Sequence, residues 1–279
     1  MSVCMRPPHH IAIVVVLALA MLGTTAGQAQ PLRSAARSPQ IYDYRVLERL
    51  PAERGNFTQG LQIVDDILYV GTGQYGESRL LEYRFPSMEL LREVALDKAF
   101  FGEGLTRLGD RLYQLTWRAG RLFVYDANTL ELLDSRRIST EGWGITHDEQ
   151  SLIYSDGSHR LYVLDPETFE QQRIIEVSLG DRPLPRLNEL EWIEGEIWAN
   201  VFMANQLVRI DPASGRVTGI VDLRGLLPAG DRRSNTDVLN GIAWDAQHRA
   251  LWVTGKRWPW LLRIELIKRS SPAAPAPPR

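Results

Sequence analysis

From Tyr42 to Leu266 apolar and polar residues alternate in short runs, each bounded by Gly, Asp or Pro. That period is the one a β-strand imposes, and the breaks read as hairpin turns. The runs are grouped. Five segments open alike, at Gln59-Gly60-Leu61, Glu103-Gly104-Leu105, Trp143-Gly144-Ile145, Asn188-Glu189-Leu190 and Asn240-Gly241-Ile242, with first residues 44, 40, 45 and 52 positions apart. A polar turn such as Gly109-Asp110 or Glu194-Gly195 follows each opening. An apolar run comes next: Leu68-Tyr69-Val70, Leu112 to Leu115, Leu152-Ile153-Tyr154, Ile197-Trp198-Ala199 or Leu251-Trp252-Val253. A third run ends at a turn such as Asp165-Pro166-Glu167, and a fourth strand, as in Leu130 to Arg136, completes the unit. Four strands in roughly 40 to 45 residues match one blade of a propeller. The pattern predicts an all-β fold, a five-bladed β-propeller with four antiparallel strands per blade. The fifth unit lacks an outer strand after Leu261 to Leu266, so the early run Tyr42 to Leu50 is predicted to supply it and close the ring.

In a blade the first strand lies nearest the axis, so five openings start around one mouth of a central channel. The turns joining second to third strands surface at the same mouth, and they carry Trp117, Ser155-Asp156-Gly157, Phe202 and Gly255-Lys256-Arg257. So do the linkers before each blade, the longest being Leu179 to Leu187 and Gly225 to Leu239, and long loops on one face of a rigid scaffold are where sites are built. Gln59, Glu103, Trp143, Asn188 and Asn240 are therefore expected to ring one pocket walled by Trp117, Phe202 and Lys256, a small-molecule site with few but placed polar groups. Glu103 stands out within Phe100-Phe101-Gly102-Glu103-Gly104. Glycine on each side permits close approach, and flanking aromatic rings desolvate a carboxyl and raise its pKa toward the range of a general acid–base. A lone glutamate at a strand start is ordinarily solvated; the recurrence of its position around the chain argues against that here. Trp192, Trp198, Trp244 and Trp252 sit in strand patterns and read as core, and Asn240 reads as a structural tie between inner strands. His147, His159 and His248 fall in polar turns without a second His at ligand spacing, so no zinc site is expected.

Charge and the chain ends narrow the class. With 32 basic against 34 acidic residues the net charge is −2, which argues against nucleic acid or an anionic membrane as partner. Arg6 precedes the apolar run Ile11 to Leu22, which is too short to span a bilayer, and Gly27-Gln28-Ala29 offers a cleavage site, so residues 1–29 read as a secretory signal. Cleavage would remove Cys4, the single cysteine, and leave a periplasmic or secreted monomer with no membrane anchor and no thiol chemistry. Residues 30–41 read as a linker, 42–268 as the propeller, and the Pro/Ala-rich 269–279 as a disordered tail.

The ordered set Phe57-Thr58-Gln59-Gly60-Leu61, Phe101 to Thr106, Gly142-Trp143-Gly144, Asn188 to Trp192, Asn240 to Ala243 and Gly255-Lys256 resembles the plant-type glutaminyl-peptide cyclotransferases, which include bacterial members. The resemblance covers about Tyr42 to Leu266. It implies a five-bladed propeller that converts the N-terminal glutamine of peptides or proteins to pyroglutamate with release of ammonia. It also implies that Glu103 is the catalytic residue and that Phe57, Gln59, Phe101, Trp117, Trp143, Asn188 and Lys256 bind substrate. Phe202 stands where the family pattern has a tryptophan, which keeps the apolar wall but removes an indole N–H donor. No cofactor is then required, although a structural divalent cation in the channel is an open expectation. Two other classes fit the same residues. Glu103, Asn188, Asn240 and Asp237 are oxygen ligands that would suit Ca²⁺ in a lactonase-type hydrolase, and a non-enzymatic periplasmic scaffold would use the propeller face to bind protein.

Overall fold

The computed structural model describes residues 38–270, so the expected signal segment and nearly all of the expected tail lie outside the described residues. Strands run in order β1 (Gln40–Pro51), β2 (Thr58–Val64), β3 (Ile67–Thr72), β4 (Arg79–Arg84), β5 (Glu89–Ala95), β6 (Gly102–Leu108), β7 (Arg111–Thr116), β8 (Arg121–Asp126) and β9 (Leu132–Arg137). They continue with β10 (Ile145–His147), β11 (Leu152–Ser155), β12 (Arg160–Leu164), β13 (Gln171–Glu176), β14 (Ser178–Leu179), β15 (Arg182–Pro183) and β16 (Leu187–Ile193). The last are β17 (Glu196–Val201), β18 (Gln206–Ile210), β19 (Val217–Asp222), β20 (Leu239–Asp245), β21 (Ala250–Gly255) and β22 (Trp260–Lys268). One 3-10 turn, Ala229–Asp231, is the single helical element among the described residues.

Three four-stranded antiparallel sheets follow chain order, β2 to β5, β6 to β9 and β10 to β13. The remaining eight long strands form one sheet in the order β16-β17-β18-β19-β1-β22-β21-β20. Its two halves meet where β1 pairs in parallel with β19, Gln40 to Tyr42 beside Gly219 to Val221. Along the rest of its length β1 is the antiparallel partner of β22, from Tyr42 opposite Lys268 to Pro51 opposite Trp260. The linker Leu179 to Leu187, expected to be plain loop, contains most of the small β14–β15 hairpin.

The second strand of each unit corrects the simple meaning of alternation. Leu68, Tyr69 and Val70 are all buried, as are Leu112, Tyr113 and Leu115. Successive side chains go to different cores rather than alternately to core and water. Leu68 packs with Trp252 and Leu261 of the last unit, whereas Tyr69 packs with Leu105 and Leu112 of the second. Tyr113 joins Tyr154, Ile153 joins Val201, and Trp198 joins Val253 in the same manner. Five apolar clusters thus lie between consecutive units, the last between the final unit and the first. A sheet covered on both faces reads as nearly continuous apolar sequence. The fourth strands β5, β9 and β13 are largely exposed, as is the two-residue β15.

The first strands converge: β2 lies against β6 and β20, and β10 against β6 and β16. Gly60 rests on the backbone of Gly104 and Leu105, Gly104 on Gly144, and Gly144 on the Asn188 carbonyl, so a methyl group at any of the three would overlap main chain. At the equivalent place the fourth unit has Glu189, whose carboxyl accepts the Leu61 N–H at 3.3 Å and the Ile242 N–H at 2.8 Å. Two residues on, Glu191 accepts the Trp244 N–H at 2.9 Å. Burial holds both carboxyls above the ordinary range. Glu191 is pushed up to about 8; Glu189 is raised further by its neighbour Glu191, while its two N–H donors pull the other way.

Two outcomes follow. Glu189→Ala strands two buried N–H groups and is expected to lower the unfolding free energy by about 3 kcal/mol in urea titration. Because the folded state keeps the Glu191 proton that the unfolded chain releases near 4.5, stability falls as pH rises from about 4.5 to about 8. Glu191→Gln flattens that slope, and a denaturation series across this window measures it.

Candidate functional site

At the mouth where the first strands begin lies a cavity of about 380 Å³. Its lining comes from two kinds of position. First-strand starts contribute Phe57, Gln59, Phe101, Glu103, Trp143 and Asn188, and second-strand ends contribute Gln74, Trp117, Phe202 and Lys256. All the residues expected to bind or react are therefore brought together. Asn240 is not in the lining; it sits behind it as a structural tie. Of the two long linkers, only the Gly225 to Leu239 segment contributes, through Asp237.

Backbone irregularity aims these side chains. The ladders slip at Thr58/Gly60, Gly102/Leu105, Leu187/Leu190 and Leu239/Ile242, one bulge at four of the five openings. A bulge leaves a residue out of the pairing and re-aims its neighbours, and here the affected residues include Gln59, Glu103 and Asn188. The third opening lacks a bulge and instead ties Trp143 N–H to the Ser155 carbonyl at 2.9 Å and Gly144 N–H to Ser155 Oγ at 2.8 Å.

Glu103 is 4% exposed. Gln59 Nε2 donates to its Oε1 at 3.1 Å, and Gln59 Oε1 in turn accepts from Asn240 Nδ2 at 3.3 Å. Asn240 also reaches the Thr58 carbonyl at 3.1 Å. The relay fixes which way the Gln59 amide faces and leaves Glu103 Oε2 to the cavity. Burial raises the Glu103 pKa well above the carboxylate range; the positive charge of Lys256 opposes this and that of Glu141, being negative, adds to it. Lys256, expected in the pocket wall, is buried, with Nζ 4.9 Å from the Phe57 ring centroid and 5.4 Å from that of Phe202. Burial lowers its pKa, while Glu103 and Asp237 push it back up. Asn188 Oδ1 is buried without a partner, an acceptor held ready in the wall.

The aromatic wall is a set of edge-to-face contacts, the arrangement ring quadrupoles favour. Phe101 meets Phe57 at 6.1 Å, Tyr75 at 5.4 Å and Trp117 at 5.4 Å, and Trp143 meets Phe202 at 5.5 Å. Only one of the two rings preceding Glu103 belongs to this wall. Phe100 points away and packs on Phe123 at 5.1 Å. Gln74, Tyr75 and Glu141 were not anticipated; the second-strand position equivalent to Trp117 is Gly73, and Gln74 lies one residue beyond it.

Among the described residues no three His, Cys, Asp or Glu side chains converge to hold a metal ion. Of the calcium-type ligand set, Glu103, Asn188 and Asp237 line the cavity and Asn240 does not. His147, expected in a polar turn, ends strand β10 and lines a second cavity with Glu191, Trp192 and Trp244, two tryptophans expected in the core.

Comparison with known proteins agrees with this geometry. A family model described as glutamine cyclotransferase matches residues 15–266. The chain is 39% identical over 242 residues to a glutaminyl-peptide cyclotransferase of Arabidopsis thaliana, a match covering 84% of this chain and 74% of the plant protein. It is also similar to the crystal structure of Myxococcus xanthus glutaminyl cyclase, with a TM-score of 0.78 and 31% identity over 84% of this chain and 100% of that one.

The wall has no slack at Gly157. Gly157 has φ +80°, and a Cβ there would lie 2.6 Å from the Trp143 ring. Gly157→Ala is expected to lower stability by about 1 to 3 kcal/mol through backbone strain and displacement of the indole. Chemical denaturation measures the loss, and a change in tryptophan emission reports the moved ring.

Proposed function

The chain belongs to the glutamine cyclotransferase family, and from that premise we propose that Glu103 carries the proton transfers of the reaction. The enzyme closes the N-terminal glutamine of a peptide or protein to pyroglutamate and releases ammonia. The observation that carries the role of Glu103 is its buried carboxyl, held by Gln59 at one oxygen and open to an apolar-walled cavity at the other. We also read the five strand groups and five inter-unit cores as a five-bladed propeller, with β1 as the outer strand of the fifth blade.

The substrate supplies its own nucleophile, so the protein has to fold it, move protons and stabilise charge. Phe57, Phe101, Trp117, Trp143 and Phe202 enclose the glutamine side chain in the bent form that brings its α-nitrogen to its γ-carbon, an orientation effect. Ionised Glu103 takes a proton from the α-ammonium. The freed amine attacks the γ-carboxamide carbon, and the carbonyl oxygen becomes an oxyanion near Lys256 Nζ and the amide donors of Gln59 and Asn188. Such donors contribute a few kcal/mol each where water is excluded. Glu103 then returns its proton to the amide nitrogen, and the oxyanion re-forms the carbonyl as the carbon–nitrogen bond breaks. The ring nitrogen passes its remaining extra proton through the freed carboxylate to the departing ammonia, which leaves as ammonium, so the neutral lactam remains. Asn188 Oδ1, without a protein partner, is placed to accept from the substrate's N–H groups. A raised carboxyl pKa suits both halves of this exchange. The same reading takes residues 1–29 as an export signal and requires no metal ion for turnover.

Ammonia release from a synthetic Gln-peptide tests the assignment. Glu103→Gln is expected to lower kcat/KM by about 100-fold or more, with the wild-type rate unchanged by a chelator; a variant close to wild type would remove Glu103 from its role. Since Glu103 must be ionised to accept, activity is present above its folded pKa and lost as pH falls through it, so the acid limb of the profile lies above the ordinary 4.5. Lys256→Met removes the charge that opposes the shift and moves that limb to higher pH.

A further inference from the structure

Glu141 lies two residues before the third opening and outside the cavity lining. One of its oxygens, Oε2, accepts from Trp117 Nε1 at 2.9 Å and from Trp143 Nε1 at 3.1 Å. The two indoles belong to different parts of the fold: Trp117 follows β7, and Trp143 precedes β10. Nothing else described joins these rings, because their stacking partners differ, Phe101 for Trp117 and Phe202 for Trp143. Arg118 completes the arrangement, with its guanidinium 3.9 Å from the Trp117 ring centroid and its Nε 3.7 Å from Glu141 Oε1. A charged acceptor strengthens each indole hydrogen bond, and a shared oxygen sets the distance between its two donors.

We propose that Glu141 is a positioning residue for the cyclisation: it locks Trp117 and Trp143 at a fixed spacing and so sets the width of the slot that holds the substrate glutamine bent. This rests on the reading of the cavity given above. The carboxylate has a second, separable effect. The charged groups acting on Glu103 are Lys256, which favours its ionised form, and Glu141, which disfavours it. Asp237 acts in turn on Lys256, and Arg118 pairs with Glu141. Glu141 therefore tunes the base as well as the wall.

Its two roles come apart in two variants. Glutamine retains an acceptor oxygen but no charge, and alanine retains neither. Glu141→Ala is expected to raise KM for a Gln-peptide about tenfold with a smaller change in kcat, since the hydrogen bonds it loses hold the walls rather than touch the reacting atoms. Glu141→Gln restores most of that affinity, yet its acid limb moves to lower pH, because removing a negative charge makes ionised Glu103 easier to form. A readout independent of turnover is the set of indole N–H resonances from the eight tryptophans, with those of Trp117 and Trp143 identified by Phe replacement. Both are expected to move in Glu141→Ala while the thermal midpoint holds. Unmoved resonances, or Glu141→Gln as impaired in KM as Glu141→Ala, would overturn the positioning role. A wild-type enzyme inert on the peptide would refute the cyclisation reading instead, and the resonances would still decide whether Glu141 joins the two rings.

Discussion

The innermost strand of each unit has a sheet neighbour on one side only. On the other side its N–H groups face the first strands of neighbouring units without forming a ladder with them, and a buried N–H without a partner is costly. The chain meets this demand with side chains. Glu189 accepts from Leu61 and Ile242, Glu191 from Trp244, Asn200 from Gly241, Gln62 from Arg107 and Ser78 from Gly102. Where glycines let the strands touch, a carbonyl does the same work, as Trp143 does for Gly104 at 2.7 Å. An apolar interior is thereby given polar groups along its inner strands, and the acceptors Glu189, Glu191, Asn200, Gln62 and Ser78 are all buried.

Three glutamates lie on these inner strands, and all three are raised in pKa by burial. Burial alone therefore does not single out a reactive group. What separates them is how their oxygens are used. Both oxygens of Glu189 accept main-chain N–H groups, and Glu191 accepts the Trp244 N–H near the end of β20. Glu103 receives one side-chain amide and has a cation within electrostatic reach, and its free oxygen faces a cavity large enough for a small side chain. A carboxyl with a vacant lone pair, a raised proton affinity and a compensating lysine is suited to gaining and losing a proton; a saturated one is suited to staying still.

The repeat of five openings and the strand order within each unit were legible because glycine, aspartate and proline punctuate them and because the openings keep one spacing. The same repeat predicted that Tyr42 to Leu50 lies beside the last strand, since one unit was a strand short. The site residues were legible for the same reason: they occupy equivalent places in successive units. What could not be read depends on contacts that no period encodes. Alternation along β3 or β11 looks like one buried and one wet face, yet both faces are covered by neighbouring sheets. Phe100 and Phe101 are indistinguishable in sequence, and only the start of β6 at Gly102 decides which faces the cavity. Glu141 resembles any solvated acid at a turn, because its two indole donors are brought to it by separate strands.

The source of the cavity's rigidity follows from where its residues are anchored. Long linkers at the mouth were the expected site builders, but most of the lining stands at the ends of first and second strands, each within two residues of a paired ladder. A side chain mounted there inherits the stiffness of a sheet packed on both faces, and a bulge sets its direction at little cost in order. For a reaction in which the substrate carries its own nucleophile, this matters more than any added functional group. The enzyme's main task is to hold a flexible glutamine in one bent form, and a wall that moved by an ångström would return that freedom to the substrate. Five inner strands locked by their own buried hydrogen bonds are what keep Glu103 opposite the indoles, so the satisfaction of the axis and the geometry of the site are one constraint.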